Sequence, residues 1–239
     1  MNFELIKVCG MREADNIRKV EQLFTSSPFH LFTLWMGFIF WPKSSRYVSE
    51  RPAYLPTKCK RVGVFVDADI ADVQQKVEEY DLDIIQLHGS ETPEQISHLS
   101  SLTRHPSIIK AFNIATAEDL EQTKAYEGLV DYFLFDTKGK SVGGNGEKFD
   151  WDVLAHYQGH TPFLLSGGIG PDDADRIKDF LTPYLLPPTS YLQPPTSSFQ
   201  PPTSQCLGID LNSRFELEPG MKDVAALRRF LSQLFQNTH

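Results

Sequence analysis

Residues 162–180 read Pro162-Phe163-Leu164-Leu165-Ser166-Gly167-Gly168-Ile169-Gly170-Pro171-Asp172-Asp173-Ala174-Asp175-Arg176-Ile177-Lys178-Asp179-Phe180. A short apolar run gives way to a glycine-rich turn, and Pro171 opens a charged amphipathic stretch. The apolar run reads as a strand buried on both faces, and proline at the head of the charged stretch is what a helix start tolerates best. Strand, turn and helix in that order form the unit of a parallel sheet with helical crossovers.

The unit recurs in both directions from this point. Strands are expected at Phe3–Val8, Leu34–Phe40, Arg61–Val66, Asp83–Leu87, Ser107–Phe112, Asp131–Phe135, Pro162–Leu165 and Leu207–Leu211. Helices are expected at Glu13–Leu23, Ile70–Tyr80, Pro93–Leu102, Ala117–Tyr126, Trp151–Tyr157, Asp172–Phe180 and Val224–Phe235. Thr92-Pro93-Glu94-Gln95 offers a threonine cap, proline in the first turn and a glutamine to close the box. Tyr47–Lys60 stands where a further helix is due, but Pro52 and Pro56 make it the poorest helix former of the set. One strand and one helix repeated about eight times predict an α/β fold, a single (β/α)8 TIM barrel over residues 1–239, rather than an open doubly wound sheet.

The 239 residues are 41% hydrophobic and 23% charged, a globular composition that excludes a disordered or collagen-like chain. A net charge of −8 supplies no bulk positive field, so neither nucleic acid nor an anionic membrane is an expected partner. The apolar segment Phe29–Trp41 is interrupted by His30, Thr33 and Gly37 and is shorter than the ~20 residues of a spanning helix. Cys9, Cys59 and Cys206 lack paired spacing, and no basic-then-apolar leader follows Met1, which together point to a reducing, cytoplasmic setting.

Proline is concentrated in Thr182–Gln205, which contains no charge and no glycine and repeats Pro-Pro-Thr-Ser from 187, 194 and 201. Its period of seven carries no apolar seam, and proline forbids a coiled coil. It is expected to be a tolerated low-complexity insertion between the seventh helix and the eighth strand.

Polar residues and glycines gather just after the strands, in Cys9-Gly10-Met11, Gln86-Leu87-His88-Gly89, Asp136-Thr137, Ser166-Gly167-Gly168 and Asp210-Leu211-Asn212-Ser213. Strand C-terminal ends carry the active site of a barrel. Cys9 is a small buried hydrophobe or, with a cation nearby, a base; the only neighbouring cation the local sequence offers is Arg12. Asp136 caps an apolar strand, where desolvation favours the protonated, acid form; a loop-capping role is the plain alternative. Gly143-Gly144-Asn145-Gly146 and Gly167-Gly168 allow backbone N–H groups to converge on a phosphate, with Asn212 and Ser213 adding side-chain donors. Arg46 is either a fork for a substrate carboxylate or a solvated loop arginine, and His88 is the remaining candidate at the barrel mouth. No His-x3-His pair argues for a metal, and no Gly-x-Gly-x-x-Gly follows the first strand to hold a dinucleotide.

From Lys7 onward the chain resembles the phosphoribosylanthranilate isomerase family of tryptophan biosynthesis. The resemblance is carried by Lys7-Val8-Cys9-Gly10, Gly37-Phe38-Ile39-Phe40 with Ser45-Arg46-Tyr47, Val62-Gly63-Val64-Phe65-Val66, Gln86-Leu87-His88-Gly89 and Phe135-Asp136. It continues through 143–151, Leu165-Ser166-Gly167-Gly168-Ile169, Asp210-Leu211-Asn212-Ser213-Arg214-Phe215-Glu216 and Pro219-Gly220-Met221-Lys222-Asp223. It implies a cofactor-free Amadori rearrangement of a small phosphorylated substrate by a monomer or homodimer. In that scheme Asp136 is the general acid, Cys9 the general base and Arg46 the carboxylate ligand, with Gly167, Gly168, Asn212 and Ser213 at the phosphate. His88 and Asp210 match positions lining the family's pocket. A related barrel isomerase of histidine biosynthesis usually pairs two aspartates, which Cys9 contradicts, and a non-enzymatic scaffold would have no need to fill every catalytic position. The chain departs from the family pattern at Ser44-Ser45-Arg46, where Ser-Pro-Arg is usual, and at Asn145, where Thr or Ser is expected. Longer departures are the apolar approach Phe24–Leu34 and the block Thr182–Gln205.

Overall fold

The computed structural model describes residues 5–99, 105–137, 151–185 and 206–236. Eight parallel strands close a barrel in chain order: β1 (Leu5–Val8), β2 (Thr33–Ile39), β3 (Lys60–Phe65), β4 (Ile84–Leu87), β5 (Ser107–Ile114), β6 (Tyr132–Thr137), β7 (Phe163–Ser166) and β8 (Cys206–Leu211). The seam is β8 on β1, in the register Leu5 to Gly208 and Lys7 to Asp210. The fold is therefore the (β/α)8 TIM barrel that the alternating pattern predicts.

Side chains alternate across each strand, and this divides the core in two. Leu5, Trp35, Val62, Ile84, Ile109, Ala111, Leu134 and Leu164 fill the barrel interior, while Cys9, Ile39 and Val64 form a small apolar group nearer the mouth. The outward residues, Ile6 and Val8 among them, pack beneath the helices in the larger cluster. Along β1 the inward face thus runs Leu5, Lys7, Cys9, from apolar floor to reactive mouth.

Helices α1 (Ala14–Thr25), α2 (Ile70–Tyr80), α3 (Pro93–Leu99), α4 (Ala174–Leu185) and α5 (Val224–Gln236) follow β1, β3, β4, β7 and β8. The crossovers after β5 and β6 are 3₁₀ helices, Ala117–Tyr126 and Trp151–His156, rather than α-helices. Their buried residues explain why: Leu120 with Thr123, and Trp151 with Leu154, stand three apart, which matches a three-residue turn. After β2 no helix forms. Residues 47–59 are irregular, and Glu21 of α1 replaces the missing helical hydrogen bonds by accepting the N–H groups of Thr57 and Lys58, both at 2.6 Å, and the Tyr54 hydroxyl.

The apolar approach Phe24–Leu34 is partly structural filling. After α1 a cis Ser27-Pro28 bond leads into a 3₁₀ turn, Phe29–Leu31, and Phe24 and Phe29 are buried in the outer core. Helix α4 continues through Leu185, so residues 182–185 of the expected insertion are helical; Ile177 and Leu181 keep its apolar face on the core. The remainder, 186–205, and the loop Gly143–Gly146 lie outside the described residues. A 3₁₀ turn, Ser213–Phe215, and a hairpin of β9 (Glu216–Glu218) with β10 (Met221–Lys222) separate β8 from α5, which the strand pattern does not foretell.

Candidate active site

The strand C-termini open on a cleft of about 780 Å³, and Cys9, Arg46, His88, Asp136, Gly167, Gly168, Asp210, Asn212 and Ser213 all line it. Closure of the barrel is what unites them, since Cys9 extends from β1, Asp136 lies in β6 and Asp210 in β8.

Cys9 is 3% exposed, and its sulfur packs so closely on β2 that a Cβ at Gly37 would stand 2.9 Å from it. Burial pushes its thiol above the ordinary value, while the ammonium groups of Lys7 and Lys222 oppose the rise and Asp210 adds to it. Arg12, the cation nearest in sequence, is instead paired with Glu13 at 2.9 Å, so the electrostatic partners of the thiol are Lys7 and Lys222. Lys7 is fully buried, and its Nζ lies 2.8 Å from Asp210 Oδ1 on the neighbouring strand. Burial works against its charge, but Asp210 and Cys9 outweigh this and raise its pKa, so Lys7 remains an ammonium. Ser166 Oγ donates to the other oxygen, Asp210 Oδ2, at 3.2 Å. Burial pushes the thiols of Cys59 and Cys206 up to about 12, Arg61 only partly opposing the rise at Cys59, and leaves both inert at neutral pH.

Lys222 sits at the far end of the hairpin and is fixed by Asn16, whose amide donates to the Lys222 carbonyl at 2.9 Å and accepts its N–H at 2.8 Å. Its Nζ then reaches Asn212 Oδ1 at 2.9 Å and Glu216 Oε1 at 2.7 Å. Arg46 takes the rest of the same carboxylate. Its Nε lies 2.9 Å from each oxygen and its Nη2 2.6 Å from Oε2. Burial alone would raise the Glu216 pKa, but hydrogen bonds from Arg46 and Lys222 hold it below the usual range. Arg46 is thus neither free nor a solvated loop arginine: one edge of its guanidinium is engaged, and Nη1 has no hydrogen-bond partner among the described residues.

Across the cleft, His88 Nε2 stands 3.6 Å from Asp136 Oδ2, longer than a hydrogen bond but close enough for a charged imidazole to interact. Gln86 Nε2 lies 3.3 Å from His88 Nδ1, and the buried Gln86 Oε1 has no partner among the described residues. At the third wall, Gly167 and Gly168 have φ of +94° and +66°, a left-handed backbone that suits glycine, and a Cβ at Gly168 would meet nothing within 4 Å. Asn212 and Ser213 face these glycines from the start of the 3₁₀ turn after β8. Among the described residues no group of three or more His, Cys, Asp or Glu is placed to hold a metal, and no helix is long and apolar enough to cross a membrane.

Three residues of this network carry no role in the sequence reading. Lys7 was legible in principle, because two residues along a strand share a face with Cys9. Glu216 and Lys222 had no such signal; the hairpin brings them against Arg46 and Asn212, which line the cleft.

A sequence profile described as N-(5'phosphoribosyl)anthranilate (PRA) isomerase matches residues 6–233. The chain belongs to this isomerase family. A relative from Parabacteroides distasonis named N-(5'-phosphoribosyl)anthranilate isomerase is 44% identical over 236 residues, covering 96% of this chain and 93% of its own. One of the same name from Phocaeicola vulgatus is 44% identical over 232 residues, covering 97% and 98%. Among solved structures, phosphoribosyl anthranilate isomerase from Thermotoga maritima aligns at a TM-score of 0.70 with 25% identity, covering 97% of this chain and 98% of its own. A phosphoribosyl anthranilate isomerase in complex with reduced 1-(o-carboxyphenylamino)-1-deoxyribulose 5-phosphate shares the fold at 0.69 and 23% identity, covering 97% and 98%. Membership of an isomerase family makes the protein an enzyme.

Proposed function

We propose that the protein catalyses the Amadori rearrangement of N-(5'-phosphoribosyl)anthranilate to 1-(2-carboxyphenylamino)-1-deoxy-D-ribulose 5-phosphate, a step of tryptophan biosynthesis. The observation that carries this reading is the meeting of Cys9 and Asp136 in one cleft that also holds a clamped guanidinium and a glycine turn. The substrate offers each of these a counterpart: a ring oxygen, a C2 proton, an aryl carboxylate and a phosphate.

Asp136 gives a proton to the ribose ring oxygen as the C1–O bond breaks, and the nitrogen lone pair forms the C1=N iminium. Cys9 removes the C2 proton, the C–H electrons become the C1=C2 bond, and the iminium electrons return to nitrogen. Protonation at C1 with loss of the C2 hydroxyl proton gives the ketone. Substrate and product are isomers, so the balance requires no oxidant or reductant. Lys7 and Lys222 favour the thiolate by charge, and a thiol whose pKa is raised is a strong base once ionised. His88 and Gln86 orient the acid side of the cleft.

Arg46, held on one edge by Glu216, offers Nη1 to the carboxylate, and Ile39, Val64 and Trp41 provide an apolar wall for the aromatic ring. Gly167, Gly168, Asn212 and Ser213 surround the phosphate, in the loops after the seventh and eighth strands where barrels commonly bind one. Asp210 acts through Lys7 rather than on substrate. Residues 1–239 are read as one barrel domain that the proline block interrupts, working in a reducing cytoplasm that keeps Cys9 a thiol. The test is a fluorescence assay of freshly prepared N-(5'-phosphoribosyl)anthranilate. Enzyme-dependent loss of substrate fluorescence with formation of the ketose product is expected; a rate no greater than the uncatalysed one would overturn the reading.

A further inference from the structure

Arg214 lines the same cleft, yet among the described residues it takes part in no hydrogen bond or ion pair. The other cations around the cleft are committed: Lys7 to Asp210, and Arg46 and Lys222 to the single carboxylate of Glu216. Arg214 is also well placed. It lies in the 3₁₀ turn immediately after Ser213, and the next residue, Phe215, is fully buried with its ring 5.0 Å from that of Phe230. The turn is therefore anchored on the core, and Arg214 branches from a fixed point toward the glycine wall.

Its stem runs along that wall. A Cβ at Gly170 would stand 3.4 Å from Arg214 Nε and 3.7 Å from Arg214 Cβ, and 3.5 Å from Asp173 Oδ2. Asp173 also lies beside Gly170, but it is buried and its Oδ2 accepts the Gly170 N–H at 2.8 Å, which shapes the loop. Gly167, Gly168, Asn212 and Ser213 supply neutral donors, whereas a phosphate monoester at neutral pH carries about two negative charges. Backbone donors of a loop leave most of that charge uncompensated, and a planar guanidinium beside them matches phosphate geometry.

We propose that Arg214 binds the substrate's 5'-phosphate, its guanidinium closing on an anion seated between the Gly167-Gly168 turn and Ser213. This rests on the isomerase reading for the identity of the substrate, but the anion site can be tested without turnover. Arg214→Gln and Arg214→Lys are compared with wild type in two measurements: steady-state kinetics on N-(5'-phosphoribosyl)anthranilate, and calorimetric binding of ribose 5-phosphate, with ribose as the uncharged control. For Arg214→Gln, KM and the Kd for ribose 5-phosphate should each rise about tenfold while kcat stays within about twofold, the size of one charge-assisted contact. Arg214→Lys should recover part of both, and the salt dependence of phosphate binding should weaken in the glutamine variant. Values for Arg214→Gln within twofold of wild type in both measurements would overturn the proposal. Arginine-dependent binding of ribose 5-phosphate by a wild type inactive on the substrate would uphold the anion site and overturn the isomerase reading. Active wild type with an unchanged glutamine variant would overturn Arg214 alone.

Discussion

Glu216 holds Arg46 by the Nε–Nη2 edge of its guanidinium, at 2.9 and 2.6 Å, while Lys222 occupies the same carboxylate at 2.7 Å. One acid thus fixes two cations, and its side chain is only 4% exposed. Glu216→Ala leaves Lys222 buried without its counter-ion, for which a loss of about 3 kcal/mol is expected by urea denaturation. Turnover should suffer mainly through KM, because Arg46 loses the clamp that aims it. Unchanged stability and KM would show that the cluster is incidental.

Cys9 is held in the thiol form by burial, with Lys7 and Lys222 opposing. A raised thiol pKa means that the basic form grows as pH rises, so kcat/KM should climb with pH across the neutral range and level only above the ordinary thiol value of about 8.5. Lys222→Met removes a cation that favours the thiolate and should move this limb further alkaline. A pH-independent kcat/KM over the same range would exclude Cys9 as the titrating base.

Cys9→Ala and Asp136→Ala should each lower kcat by about a hundredfold or more, the scale of a lost proton-transfer group. Both should keep the native far-UV spectrum, since Asp136 lies at a strand end and the Cys9 change removes a single sulfur. Wild-type turnover in either variant would sink the corresponding role.

Gly208 occupies the closing seam of the barrel, and a Cβ there would lie 2.2 Å from the Leu5 carbonyl oxygen, which the β1–β8 pairing holds in place. Gly208→Ala should cost about 2–3 kcal/mol or yield insoluble protein. Gly128→Ala is the contrasting case, with φ of +76° and no heavy atom within 4 Å, and only the backbone penalty of about 1 kcal/mol is expected in the same denaturation experiment.

Helix α4 ends at Leu185 and β8 begins at Cys206. If the proline block is a tolerated insertion, replacing residues 186–205 by a polar linker of about six residues, an ordinary helix-to-strand length, should leave KM and kcat within about twofold. A large rise in KM would assign the block a part in shaping the phosphate wall next to Asn212 and Ser213.

The alternation of apolar runs and amphipathic stretches was sufficient for the barrel, because periods of 2.0 and 3.6 are local properties that a chain displays before it folds. The strands lie within one or two residues of their expected positions, apart from the undescribed start of the first. The pattern failed where local spacing and tertiary contact competed. Leu120 with Thr123 and Trp151 with Leu154 bury best on a 3₁₀ turn, and Glu21, far from Thr57 in sequence, satisfies the backbone that Pro52 and Pro56 keep out of a helix.

The site divides in the same way. Cys9, Arg46, His88, Asp136, Gly167, Gly168, Asp210, Asn212 and Ser213 stood out in the sequence because reactive groups at strand C-termini share one face of a barrel. Their electrostatic partners did not. Lys7 meets Asp210 only because β8 closes on β1, and the Glu216–Lys222 hairpin pair meets Arg46 only because the hairpin, held by Asn16 206 residues away, folds back on the barrel mouth. Sequence alone determined which residues stand at the mouth, since that follows from periodicity; the tertiary structure decided which charges they face, since that depends on contacts between segments no local pattern connects.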